Sequence, residues 1–201
     1  ASILEKEPVK ALQYGITEGY PVLIENIRKY DIERAGFDDS KDAVIVTSGA
    51  TQVMELATKV LCNEGDTVIT EEPSFIGSLN CFRSYGTKLR GVPVQKDGID
   101  TDALELALKT EKNVRFIYVI PNFQNPSGAT MSLEKRKKVY ELAVKYNVIV
   151  LEDNPYFELR TSGDNIPPIK SFDDGTHVIY AGSFSKLFAP GLRVAYTAAP
   201  K

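Results

Sequence analysis

Residues 133–156 read LEKRKKVYELAVKYNVIVLEDNPY. In the first fourteen, Val139, Leu142, Ala143 and Tyr146 recur at helical spacing, and the charges of Glu134-Lys135-Arg136-Lys137-Lys138 take the solvated side. Ser132, just ahead, is a good N-cap. Then Val148-Ile149-Val150-Leu151 is apolar throughout, which suits a strand buried on both faces of a parallel sheet. It ends in Glu152-Asp153 and the turn Asn154-Pro155-Tyr156. A helix feeding a doubly buried strand is one unit of an α/β fold, and such folds place ligands at the carboxyl ends of their strands.

The same alternation extends outward. Strands are predicted at 43–47, 67–70, 88–92, 115–120, 177–181 and 193–196, several of them rich in Val and Ile. Helices are predicted over 18–35, 51–62, 76–84 and 101–108. The first carries Val22, Leu23, Ile27 and Tyr30 and stops at Gly36; Thr101 caps the last. No repeat or low-complexity stretch interrupts the pattern. The expectation is an α/β domain with a mostly parallel central sheet and right-handed crossovers.

Bulk properties narrow the function. With 201 residues, 43% hydrophobic and 25% charged, the chain is globular and long enough for one substantial core. A net charge of -3 and no clustered basic face argue against a nucleic-acid footprint within these residues. Cys62, Cys81 and the single His177 lack metal-ligand spacing, so no metal is expected. No apolar run approaches the roughly 20 residues of a membrane span, and Ala1 begins no signal sequence. These features and the unpaired cysteines fit a cytoplasmic protein.

Four turns follow predicted strands. In Ser48-Gly49-Ala50-Thr51 a glycine, amides at a helix N-terminus and a hydroxyl could cradle a phosphate, or simply cap the helix. Phe75, after Glu72-Pro73-Ser74, could lie flat on a heteroaromatic ring or belong to the core. Asn125, in the Pro121–Gly128 loop, can present an amide to a ring substituent, or the loop is only a turn. Asp153 could hold a protonated ring nitrogen, with Tyr156 donating to a phenolate oxygen on that ring, or it could cap the next turn.

The most specific segment is AGSFSKLFAPGLR, residues 181–193. It sets Lys186 among Phe184, Leu187 and Phe188, where burial would favour the neutral amine needed for imine formation. Ser183, Ser185 and Arg193 supply hydroxyl and guanidinium partners for a dianionic phosphate.

Taken in order, Tyr14-Gly15, Gly19, Ser48-Gly49-Ala50, Asn125-Pro126-Ser127-Gly128, Asp153-Asn154-Pro155-Tyr156, Ser183-Phe184-Ser185-Lys186 and Gly191-Leu192-Arg193 resemble the fold-type I aminotransferases. The likeness is to the branch holding aminoadipate and kynurenine aminotransferases and the aminotransferase-like half of MocR-type regulators, and it runs nearly end to end.

That resemblance implies a pyridoxal 5'-phosphate enzyme with a three-layer α/β/α large domain over residues 1–201. Lys186 would bind the cofactor as an imine and shuttle a proton between substrate Cα and cofactor C4′. Asp153 would pair with the ring nitrogen, Asn125 and Tyr156 with the 3′ oxygen, and Phe75 would stack on the ring. Ala50 (through its amide), Thr51, Ser183, Ser185 and Arg193 would bind the phosphate, and Tyr14 would reach the phosphate of the neighbouring subunit of a homodimer. Substrates would be an amino acid and a 2-oxo acid.

Asn154 departs from the second Asp of many relatives, and Thr51 from their Ser or Gln. A small C-terminal domain with a carboxylate-gripping arginine, and an N-terminal arm, are expected in the family and are not found in these residues. The fragment alone is therefore expected to be inactive. A β-lyase outcome, or an effector domain of a MocR/GntR-type regulator, is compatible with the same motifs.

Overall fold

The apolar runs become eight strands: β1 (Asp42–Thr47), β2 (Thr67–Glu72), β3 (Lys88–Gln95), β4 (Gly98–Ile99), β5 (Val114–Val119), β6 (Ile149–Asp153), β7 (Val178–Ser183) and β8 (Ala195–Pro200). The structure is a computed structural model describing residues 2–201, apart from the side chains of residues 32 and 33. The strands form one sheet in the order β1-β8-β7-β6-β5-β2-β3-β4. From β7 to β3 all neighbours are parallel. Strand β8 runs antiparallel to both β1 and β7, and β4 antiparallel to β3.

Among the described residues seven α-helices accompany the sheet: α1 (Ser2–Lys6), α2 (Pro8–Leu12), α3 (Pro21–Ala35), α4 (Ala50–Leu61), α5 (Ile76–Ser84), α6 (Thr101–Thr110) and α7 (Leu133–Tyr146). Strand alternation sorts them into two layers. Val68, Phe116, Tyr118 and Leu151 pack with Val53, Met54 and Ala57 of α4 and Phe82 of α5. Their sequence neighbours Ile69, Ile117 and Val150 pack with Leu104 of α6 and Val139 and Leu142 of α7 on the opposite face. Tyr180 and Tyr196 extend that second face toward Ile27 of α3. The result is the expected three-layer α/β/α domain. Rings meet in the first layer: Phe82 meets both Phe116 and Tyr118 edge-on with centroids 5.2 Å apart.

Local signals mostly held. Gly36 ends α3 in the left-handed region at φ 71°, and the Ser132 hydroxyl caps α7 by accepting the Lys135 amide. The cap of α6, however, is Asp100 and not Thr101: the Asp100 carboxylate accepts the amides of Asp102 and Ala103. A carboxylate is the better acceptor for two helix amides, and Thr101 becomes the first helical residue. The strand predicted at 193–196 starts instead at Ala195, because Arg193 turns left-handed at φ 52°. Among the apolar positions of α3, Val22 and Tyr30 are exposed, whereas Ile27 is buried.

The basic run of α7 is only partly solvated. Arg136 is fully buried, on the same stripe as Val139 and Ala143. Its guanidinium donates to the carbonyls of Met131, Pro121, Ile166 and Pro167 and to Asn122 Oδ1, at 2.8–3.2 Å. Burial lowers its pKa to about 10. Such a cage of carbonyls offsets desolvation, and it needs loops that are remote in sequence.

A second buried cation staples the sheet. Lys170 Nζ donates to Asp42 Oδ1 at 2.6 Å, Asp173 Oδ2 at 2.9 Å and the Val178 carbonyl at 3.0 Å. It thereby ties the starts of β1 and β7, between which β8 runs. Replacing Lys170 by Met is expected to remove about 3–5 kcal/mol of stability, because two buried carboxylates lose their counter-charge. Urea unfolding measures this; a loss below about 1 kcal/mol, the range of an exposed pair, would show that the pair is solvated.

Candidate active site

The reversed direction of β8 brings the site together. Ala195 lies opposite both Thr47 of β1 and Ser183 of β7, so the beginning of β8 sits at the carboxyl ends of its neighbours. Residues far apart in sequence therefore surround one cleft of about 230 Å³. Ala50 and Thr51 enter it from the N-terminus of α4, Ser183 and Ser185 from the end of β7, and Arg193 from the turn before β8. Gly49 is held at φ 82°, and a Cβ there would lie 1.9 Å from Arg193 Nη2. Glycine is thus required both by backbone conformation and by the close passage of the guanidinium. Ser183 Oγ accepts the Ser185 amide at 3.2 Å, which leaves its own proton free to donate. Helix amides, hydroxyls and a guanidinium converging on one point make an anion site suited to a phosphate.

The other end of the cleft is aromatic and acidic. Phe75 lies half-buried at the start of α5, its ring packed over Gly77. Asn125 Nδ2 donates to the Tyr156 hydroxyl at 3.5 Å, so the two groups address a common point. Asp153 lies beneath them, buried at the end of β6. Its Oδ2 accepts the Tyr118 hydroxyl at 2.7 Å, and its Oδ1 is buried with no hydrogen-bond partner among the described residues. Burial pushes the Asp153 carboxyl up to about 6, and the Tyr118 hydrogen bond opposes that rise.

Neighbouring acids have different employment. Glu152 points to the opposite face, where its oxygens accept the amides of Ile169 and Lys170 at 3.0 and 2.9 Å. Strand alternation alone separates the two: one carboxylate is satisfied by backbone, the other is left with an open acceptor. Glu71, pushed up to about 8 by burial, accepts the Ile120 amide at 2.9 Å. Gln124 donates to Glu71 and to the Pro73 carbonyl, and its oxygen accepts the Ser127 amide and hydroxyl. It locks the loop that carries Asn125 onto the turn that carries Phe75. Tyr118, Ser78, Glu71 and Gln124 were missed in the sequence, because only the packing of β2, β5, α5 and the Asn125 loop brings these buried or loop-borne polar groups together behind the cleft.

Two expectations are corrected or left open. Lys186 lines the cleft as predicted, yet it is exposed and not buried in an apolar pocket. Leu187 and Phe188 face outward, and only Phe184 packs inward, on Tyr196. Tyr14 is 99% exposed and is not part of this cleft.

An anion cradle, an open buried carboxylate oxygen, an aromatic wall and a lysine fit a flat, phosphorylated, cationic heteroaromatic ring. Residues 3–201 match the family model of aminotransferase class I and II. The chain belongs to that family. Aromatic-amino-acid aminotransferase 1 of Thermococcus litoralis is 41% identical over 98% of this chain and 48% of its own length. The crystal structure of Pyrococcus horikoshii kynurenine aminotransferase, in complex with PMP, is 39% identical with a TM-score of 0.93, over 98% of this chain and 50% of that one. An uncharacterized HTH-type transcriptional regulator of Bacillus subtilis, YdfD, is 33% identical over 96% of this chain and 40% of its length. The chain spans about half the length of the curated aminotransferase it matches.

In this aminotransferase-family chain the open acceptor carries a stability penalty. A carboxyl raised from 3.8 to about 6 binds a proton in the native state where the unfolded chain does not. Native stability therefore falls as pH rises from about 4 to 6, and the penalty is complete above that window. Replacing Asp153 by Asn is expected to stabilise the cofactor-free protein by on the order of 1–3 kcal/mol at pH 7.5, with the gain gone below about pH 4. Urea unfolding at both pH values tests the sign; destabilisation at pH 7.5 would refute it.

Proposed function

We propose that this chain is the cofactor-holding large domain of a pyridoxal 5'-phosphate-dependent aminotransferase, which moves an amino group from an amino acid to a 2-oxo acid. The observation that carries this reading is the buried Oδ1 of Asp153, without a partner among the described residues, in a cleft that also holds an anion cradle. Arg193, Ser183, Ser185, the Thr51 hydroxyl and the amides of Ala50 and Thr51 bind the phosphate. Asp153 holds the ring nitrogen proton, Asn125 and Tyr156 bind the 3′ oxygen, and Phe75 covers the ring. When bound, the cofactor supplies an electron sink for the electron pair left at the substrate Cα. Lys186, which lines the cleft, would hold the cofactor through its amine and would be the group to carry the proton to and from the substrate Cα.

The same reading makes the protein a cytoplasmic homodimer in which Tyr14 serves the partner's phosphate site. The exposed position of Tyr14 and the free cysteines Cys62 and Cys81 support it. Similarity to YdfD favours a second reading, in which the site senses the cofactor within a transcriptional regulator. Transfer of an amino group to a 2-oxo acid by the loaded protein distinguishes the enzyme from the regulator, and release of ammonia would mark a lyase.

Adding pyridoxal 5'-phosphate is expected to give a visible imine absorption band, and borohydride to fix the label on Lys186. Retention of that covalent label by Lys186→Ala would overturn the assignment. Asp153→Asn is expected to impair transfer far more than cofactor retention, since the phosphate contacts remain; equal loss of both would remove the electron-sink role of Asp153.

A further inference from the structure

Asp153 is not an isolated carboxylate. The Tyr118 hydroxyl donates to its Oδ2 at 2.7 Å, and Ser78 Oγ lies 2.9 Å from the same phenol oxygen. A phenol has one proton, and here it is committed to the carboxylate, so Ser78 must be the donor to Tyr118. The relay Ser78 to Tyr118 to Asp153 thus runs from α5 through β5 to β6, and all three side chains are buried. Phe82, edge-on to the Tyr118 ring, fixes its plane.

Resting on the assignment of Asp153 to a cationic ring nitrogen, we propose that Tyr118 and Ser78 are positioning residues for that contact. Tyr118 occupies Oδ2, fixes the carboxylate plane and keeps the group anionic, so that Oδ1 alone is presented to the ligand.

Several features support this. Burial holds the Tyr118 phenol well above its usual pKa, so it stays a donor throughout the working range. Tyr156 shares this end of the cleft, and behind it lies Glu71 on β2, which burial raises to about 8. Burial thus favours the neutral form of Glu71, which adds little charge to compete for the ligand proton. Lys186 and Arg193 line the same cleft from the β7 side. Without the phenol, desolvation of Asp153 would be opposed by no hydrogen bond among the described residues, and a proton shared with a ring nitrogen would move toward the carboxyl.

The test uses the protein loaded with pyridoxal 5'-phosphate labelled with ¹⁵N in its ring, observed by NMR at pH 7.5. The wild-type signal is expected to be that of a protonated ring nitrogen, and that of Asp153→Asn to be unprotonated. Tyr118→Phe, which keeps the packing, is expected to shift the proton equilibrium toward the carboxyl by about tenfold or more, as loss of a hydrogen bond to a charged group implies. Ser78→Ala should move it the same way by less. A purely structural role would lower the unfolding midpoint and leave the nitrogen signal in place. If Tyr118→Phe matches wild type while Asp153→Asn does not, the positioning role is overturned and the Asp153 assignment stands. A wild-type signal already unprotonated overturns both. Should Tyr118→Phe fail to fold, Ser78→Ala decides alone: a shifted signal supports the relay, an unshifted one refutes it.

Discussion

Hydrogen bonding of β8 between β1 and β7, antiparallel to both, is the constraint on which the site depends. In a uniformly parallel sheet the turn before β8 would lie at the amino edge, some 15–20 Å from the ligand edge for a strand of this length. The reversal carries Arg193 to the same edge as Gly49 and Ser183. The guanidinium then passes so close to Gly49 that no side chain fits there. One choice of strand direction thus fixes the anion cradle, the required glycine and the position of the lysine segment between them.

The second determinant is electrostatic. A buried carboxylate with one oxygen unmatched among the described residues is unfavourable by itself, and the structure limits that cost without removing it. Tyr118 satisfies one oxygen and leaves the other for a ligand. Glu152, one residue away, shows the alternative, with its oxygens taken by backbone amides. The contrast separates an acid whose oxygens are taken up by the backbone from an acid that keeps one acceptor open toward the cleft. Perturbed carboxyls in a cleft are a recognised mark of functional sites, and here the geometry gives the reason.

Stiffness around the cleft comes from buried polar groups outside it. Arg136 gathers the carbonyls of Pro121 and Met131, which bracket the Asn125 loop, and those of Ile166 and Pro167. Gln124 ties the same loop to the Phe75 turn. Lys170 joins the starts of β1 and β7. None of these three lines the cleft: Arg136 and Gln124 hold the Asn125 loop that does, and Lys170 anchors the far ends of β1 and β7.

The α/β architecture was legible in the sequence because it is written in local periodicity. Doubly buried strands such as 148–151 and amphipathic helices such as 133–146 declare themselves within a dozen residues. Ten of the thirteen residues that line the cleft were picked out in the sequence too, since they sit at strand ends or in the segments that follow them. What the sequence did not hold was long-range. The burial of Arg136 inside a run of charges, the capping of α6 by Asp100 and the exposure of Lys186 depend on which groups arrive from elsewhere in the chain. So does the division of labour between Glu152 and Asp153: both are acids at one strand end, and only the pleat and the register of β5 against β6 decide which of them meets Tyr118. Periodicity determined the elements, and the motifs at their ends, through the family they resemble, pointed to the chemistry. Tertiary packing decided which polar groups are paired, and therefore which oxygen is left free for a ligand.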